Sequence, residues 1–162
     1  MSFVKLIAST VFFALNTFIS FCLMLPFIVL KLLPIPPLRI FCSRALTAIA
    51  DIWCACSRCW IDWVNPVRWQ VQLPEGLDRQ KWYLVIGNHQ SWVDIMVLQK
   101  VFTYRIPFLK FFLKQQLAYI PLLGIVWWAL DFPFMRRGGG ENTKKDLEDA
   151  RKACEKFRTV PT

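Results

Sequence analysis

Leu6 to Leu30 carries no charged residue. At about 1.5 Å per residue, a helix over this run reaches across the hydrocarbon core of a bilayer. Asn16, Thr17, Ser20 and Pro26 dilute the run. A cleaved leader is disfavoured, because the apolar part is long and no small-x-small site follows it. The Ile-Ser-Phe before Cys22 also lacks the small residue that a lipoprotein signal needs. Lys5 precedes the run, whereas Lys31, Arg39 and Arg44 follow it. That weak bias places the second end in the cytoplasm. A buried helix of a soluble protein is the alternative, and the length of the run argues against it.

Pro34, Pro36 and Pro37 stop the first helix and form a stiff elbow. A second helix is predicted from Pro37 or Leu38 to Val64. Arg39, Ser43, Arg44, Thr47, Asp51, Ser57, Arg58 and Asp62 fall within about 140° of one another on a helical wheel. The rest of the wheel is Ile, Phe, Leu, Ala, Trp and Cys. Such a helix suits a membrane interface, or packing on the first helix. Its apolar arc is too wide for the one-sided packing of a soluble domain. Trp53, Trp60 and Trp63 are of the type that prefers the headgroup zone.

Composition agrees with a membrane surface. Of 162 residues, 56% are hydrophobic, with 8 Trp and 14 Phe, and the formal net charge is +9. A basic, aromatic-rich, apolar chain suits an anionic bilayer. Nucleic acid is excluded as a partner because no basic cluster is interleaved with polar readout residues. Cys56-x-x-Cys59 meets no second CxxC or histidine pair, so no metal site is expected. The other cysteines are Cys22, Cys42, Cys54 and Cys154, and all six are read as reduced packing residues.

The chemistry concentrates in Trp82 to Asp94. Tyr83 to Ile86 is an apolar run of buried-strand type. Gly87 and Asn88 break it, and His89, the single histidine of the chain, follows. Asp94 comes next, near the start of a helical apolar run, Ile95 to Phe102. On one helix, residues five apart diverge by about 140°. With His89 in the turn and Asp94 in the first helical turn, the carboxylate leans back toward the imidazole. A carboxylate on one ring nitrogen fixes the tautomer and raises the basicity of the other. That suits a general base for a hydroxyl. The bland alternative is an aspartate placed only for the helix dipole.

Elsewhere, Val67, Trp69, Val71 and Leu73 alternate with Arg68, Gln70 and Gln72, as in a half-exposed strand. Pro74 to Lys81 reads as a turn. Arg105 to Lys114 reads as a strand or a short helix. Gln115 to Leu130 is uncharged, but Pro121 and Gly124 divide it, so neither half spans a bilayer. It fits a membrane-facing element or the wall of an acyl-chain slot. Gly138 to Gly140 is a flexible joint. Asn142 or Thr143 caps a last helix with the stripe Leu147, Ala150, Cys154 and Phe157.

Asn88-His89-Gln90-Ser91-Trp92-Val93-Asp94 resembles the HxxxxD motif of the glycerophospholipid (lysophospholipid) acyltransferases, of the bacterial inner-membrane type. Lys114-x-x-Leu117 with Pro121 and Gly124 resembles the stretch between that family's first two motifs. Asp131 to Arg137 resembles its second motif, usually Gly-x-x-Phe-Ile-Asp-Arg. Asp131 then replaces the glycine and Arg136 the aspartate, so phosphate binding falls to Arg137 or Arg136. A guanidinium holds phosphate through a bidentate fork.

The resemblance implies an α/β fold, a central sheet flanked by helices behind an N-terminal helical hairpin. Residues 1–64 would be the membrane helices. Residues 65–162 would be the N-terminal part of the catalytic domain, ending before a third, Glu-Gly-Thr-Arg motif, and inactive alone. The implied reaction moves an acyl group from acyl-CoA or acyl carrier protein to the hydroxyl of 1-acylglycerol 3-phosphate or a related lysophospholipid. His89 is then the base and Asp94 orients it, with Asn88 and Ser91 as further substrate-binding candidates. The implied partners are an anionic bilayer, the lysophospholipid and the acyl thioester, with no metal or cofactor. The implied place is the bacterial inner membrane, catalytic part in the cytoplasm. The rivals are a truncated lipid-binding relative without activity, and a lipid or thioester hydrolase using the same pair on water.

Overall fold

The computed structural model describes residues 3–66, 68–135, 147–148, 150–152 and 154–155. Helix α1 runs Phe3–Lys31 and helix α2 runs Pro36–Val64. The prolines of the elbow set both boundaries, since a proline at the start of a helix loses no hydrogen bond but within it removes one. Both helices are long and apolar enough to cross a membrane. Only 11% of the apolar window of α1 is buried within the protein.

The chain forms two compact units. The first comprises Met1–Leu23 and Ala48–Leu109. Here the polar residues that dilute the apolar run of α1 find their use. Asn16 Nδ2 donates to Ser57 Oγ at 3.1 Å and to the Trp53 carbonyl at 3.3 Å. Trp53 Nε1 donates to Thr17 Oγ1, and Trp60 Nε1 to Ser9 Oγ. Phe12 stacks on Trp60 with ring centroids 4.3 Å apart. Hydrogen bonds of this kind hold helices together where apolar surface alone gives no preference. The indoles of Trp53 and Trp60 are therefore committed to α1, not to headgroups. Trp63 is 76% exposed, with its ring against that of Trp60.

The polar stripe of α2 holds the chain that follows. Asp51 Oδ2 pairs with Arg79 at 3.2 Å, and Asp62 pairs with Lys100. Arg79 also lies over the Tyr104 ring. Lys100 belongs to helix α3, Trp92–Phe102. Gln99, buried near the end of α3, donates from Nε2 to the carbonyl of Leu109.

The second unit comprises Met24–Thr47 and Lys110–Thr162. Phe27 and Phe41 meet beside the elbow. Strand β1, Leu113–Lys114, pairs in parallel with β2, Phe134–Met135, in the register Leu113 to Phe134. A 3-10 turn, Gln115–Tyr119, and helix α4, Leu123–Ala129, connect them. Pro121 and Gly124 do divide this stretch. A Cβ on Gly124 would lie 2.0 Å from the Ala118 carbonyl oxygen, so glycine is what lets α4 sit on the turn. Gly124→Ala is expected to cost about 1–3 kcal/mol or more, because backbone must move to admit the methyl. An unchanged thermal midpoint in detergent would refute that close approach. Lys31, 5% exposed at the end of α1, places Nζ 2.6 Å from both Asp131 Oδ2 and the Ala129 carbonyl. Asp131 has φ of +58°, the left-handed region, which explains why a glycine suits this position and why aspartate is tolerated.

Several sequence expectations are corrected. The expected central sheet is absent among the described residues, which are mostly helical with one two-stranded parallel sheet. Tyr83 to Ile86 is neither paired nor buried: Leu84 is 74% and Ile86 85% exposed. The alternating 67–73 segment is irregular too, with Val67 outside the described residues. Strand propensity describes fit to a pleated, half-buried surface, and pairing needs a neighbour that no described segment supplies here. Arg105 to Lys114 is irregular except at β1. The turn at 74–81 forms, with Gly76 at φ +78°. Cys42 and Cys54 are buried as expected, but Cys22, Cys56, Cys59 and Cys154 are exposed. Near the C-terminus, residues 147, 148, 150–152, 154 and 155 are helical, with ion pairs Arg151–Glu155 and Lys152–Glu148. The proposed caps Asn142 and Thr143, Phe157 and Gly138 to Gly140 lie outside the described residues.

Candidate active site

The site is built at the start of α3. Ser91 is its N-cap, with extended backbone and a side-chain oxygen that accepts the Val93 N–H at 3.2 Å. Asp94 closes the capping box from three residues on. Its Oδ2 accepts the N–H of Gln90 at 2.6 Å and of Ser91 at 2.8 Å. The same oxygen stands 3.3 Å from His89 Nδ1. His89 precedes the helix, as the spacing predicts, and the carboxylate reaches back to it.

One carboxylate oxygen therefore performs two tasks. It satisfies N–H groups that the helix start leaves without partners, and it faces the imidazole. The Ser91 and Gln90 N–H groups, with His89 adding less, hold the Asp94 carboxyl below the usual aspartate range. Asp94 is thus a carboxylate at any pH where the histidine can act as a base. With Nδ1–H donated to Asp94, Nε2 keeps the lone pair and can take a proton. The His89 side chain is 60% exposed, so an approaching hydroxyl can reach that nitrogen.

The other sequence-derived candidates divide. Asn88 is exposed beside His89. Ser91 is occupied as an acceptor by its cap, leaving its O–H proton to donate. Arg136 and Arg137 lie outside the described residues. Among the described residues no three His, Cys, Asp or Glu side chains gather as a metal site. The sequence reading missed Gln90, whose backbone N–H makes the shortest contact to Asp94. The pattern Ser91-x-x-Asp94 ahead of an apolar run is the signal that would have found the box.

A model of the Acyltransferase family matches residues 68–160. The chain belongs to the acyltransferase family. The match takes in His89 and Asp94 and leaves α1 and α2 outside it. No curated protein matches the chain significantly, and no solved structure does. Acyltransferase membership leaves acceptor, donor and membrane attachment to the chemistry of this chain.

Proposed function

We propose that this acyltransferase is membrane-anchored. It moves an acyl group from acyl-CoA or acyl carrier protein to the free hydroxyl of 1-acylglycerol 3-phosphate or a related lysophospholipid. The observation that carries this reading is the contact of His89 Nδ1 with Asp94 in a family-matched segment. Residues 1–64 form the anchor and residues 65–162 belong to the acyltransferase part. The location proposed is the bacterial inner membrane, with the acyltransferase part on the cytoplasmic side.

The acceptor hydroxyl gives its proton to His89 Nε2 as its oxygen attacks the thioester carbonyl carbon. The tetrahedral intermediate collapses, the C–S bond breaks, and the imidazolium returns the proton to the leaving thiolate. Asp94 stabilises the imidazolium between these steps. Arg137 or Arg136 holds the acceptor phosphate, and Asn88 and Ser91 help position the substrate. No metal or cofactor has a step in this sequence.

The test is product analysis on carbonate-washed membranes carrying the intact natural protein. With acyl-CoA and 1-acylglycerol 3-phosphate, the expected product is the diacyl phosphatidate, and omission of the acceptor should leave the thioester intact. Acceptor-independent fatty acid release would instead establish a hydrolase. No turnover of either donor would favour a lipid-binding relative. Loss of the protein in the carbonate wash would remove the integral anchor.

A further inference from the structure

Within the first unit a cavity of about 520 Å³ opens at the last turns of α2 and the end of α3. Arg58, Lys100 and Arg105 line it, with Asp62, Trp69 and Val101. Lys100 Nζ lies 4.2 Å from the centre of the Trp69 ring, and its side chain is 13% exposed. Asp62 pairs with Lys100, which accounts for one of the three cations. Among the described residues neither Arg58 nor Arg105 has a carboxylate within ion-pair distance. The cavity therefore holds two uncompensated guanidinium groups, the side chain best shaped for phosphate oxygens.

We infer that this cavity binds the phosphate of an anionic phospholipid headgroup. Arg58 and Arg105 supply the fork and Trp69 supplies the interfacial wall. Two neighbouring features favour a lipid over a soluble phosphate. On α2, the helix that carries Arg58, Ile52 and Trp63 are exposed apolar residues outside the polar stripe. A basic pocket next to a membrane-length helix is also where anionic headgroups are held.

This site is not the acceptor site. Val101 lies on nearly the same face of α3 as Asp94, two turns further on, about 10 Å along the axis. His89 precedes the start of α3 and the cavity lies at its end, so we assign the cavity to a lipid other than the acceptor. The cavity therefore takes a second lipid, one that seats the enzyme on an anionic surface. This inference rests on the membrane part of the proposed function and not on His89 as base.

The experiment measures binding of short-chain phosphatidylglycerol and phosphatidylcholine to the full chain in neutral detergent micelles, without turnover. Phosphatidylglycerol should bind at least about 10-fold more tightly. Arg58→Gln with Arg105→Gln should weaken phosphatidylglycerol by roughly 30-fold, the factor for two basic residues at a membrane surface, and phosphatidylcholine, whose phosphate is offset by its own ammonium, by less, so that the preference falls. Arg105→Gln alone, at an exposed position, should give about 5-fold and guards against a double variant that fails to fold. Arg58→Lys with Arg105→Lys should retain most of the preference through its charge. Equal binding of the two lipids, or an undiminished preference in the double variant, overturns the inference. So does displacement of phosphatidylglycerol by inorganic phosphate or adenosine 3′,5′-bisphosphate at matching affinity, which would make the site one for soluble phosphates. Loss of acyl transfer in His89→Ala leaves all these binding results in place, so failure of the catalytic reading is separately visible.

Discussion

Replacing His89 by alanine should lower acyl transfer in the intact natural protein by at least the factor of about 10²–10⁴ that general-base loss brings. No other imidazole exists in the chain to substitute for it. Asp94→Asn should also be severe, because the amide keeps the shape but neither fixes the tautomer nor stabilises the imidazolium. The capping box gives this variant a second possible effect, on the helix itself. Loss of a cap costs about 0.5–2 kcal/mol, which a thermal midpoint would register. Asparagine retains an oxygen to accept from Gln90 or Ser91, so the midpoint should move little while transfer falls. A fall in transfer that only tracks unfolding would assign Asp94 to the helix alone. The double variant should be scarcely worse than His89→Ala, since residues acting as a unit are not additive. Full transfer by His89→Ala would end the catalytic assignment.

The His89–Asp94 pair was legible because it is local. Five intervening steps of chain, one turn and one helix start decide where the two side chains meet. The long helices were legible for a related reason: Pro34, Pro36 and Pro37 punctuate an otherwise continuous apolar stretch. Partners distant in sequence were not legible. Nothing in Ser9, Asn16 and Thr17 announces that they hydrogen-bond with Trp53, Ser57 and Trp60. They read only as dilution of a hydrophobic run. The β-pattern of Tyr83 to Ile86 failed similarly, because a strand is a property of two segments and the pattern belongs to one. Asp51 and Asp62 belong to the polar arc of α2, yet the sequence does not show that each holds a cation from the following chain, Arg79 and Lys100, the latter in α3.

In the sequence Lys31 is a flanking charge that reports membrane orientation; in the structure it is buried against Asp131. That contact sets the second large effect. Lys31 and Asp131 are 5% and 13% exposed, so their pairing is not the weak surface kind. Asp131→Asn keeps the size of the side chain and tolerates the left-handed backbone at φ +58°. It removes only the charge. The Lys31 ammonium then retains the Ala129 carbonyl but loses its carboxylate. Breaking a buried pair from one side costs about 3–5 kcal/mol, because the remaining charge stays desolvated. The expected result is a large fall in the unfolding midpoint of Asp131→Asn in detergent. Adding Lys31→Met should recover much of the loss, because replacing both members of a buried pair can be nearly neutral. A loss under about 1 kcal/mol in the single variant would mean that water reaches the pair and that it behaves as a surface one. No recovery in the double variant would mean that shape at Asp131, and not charge, holds the end of α1.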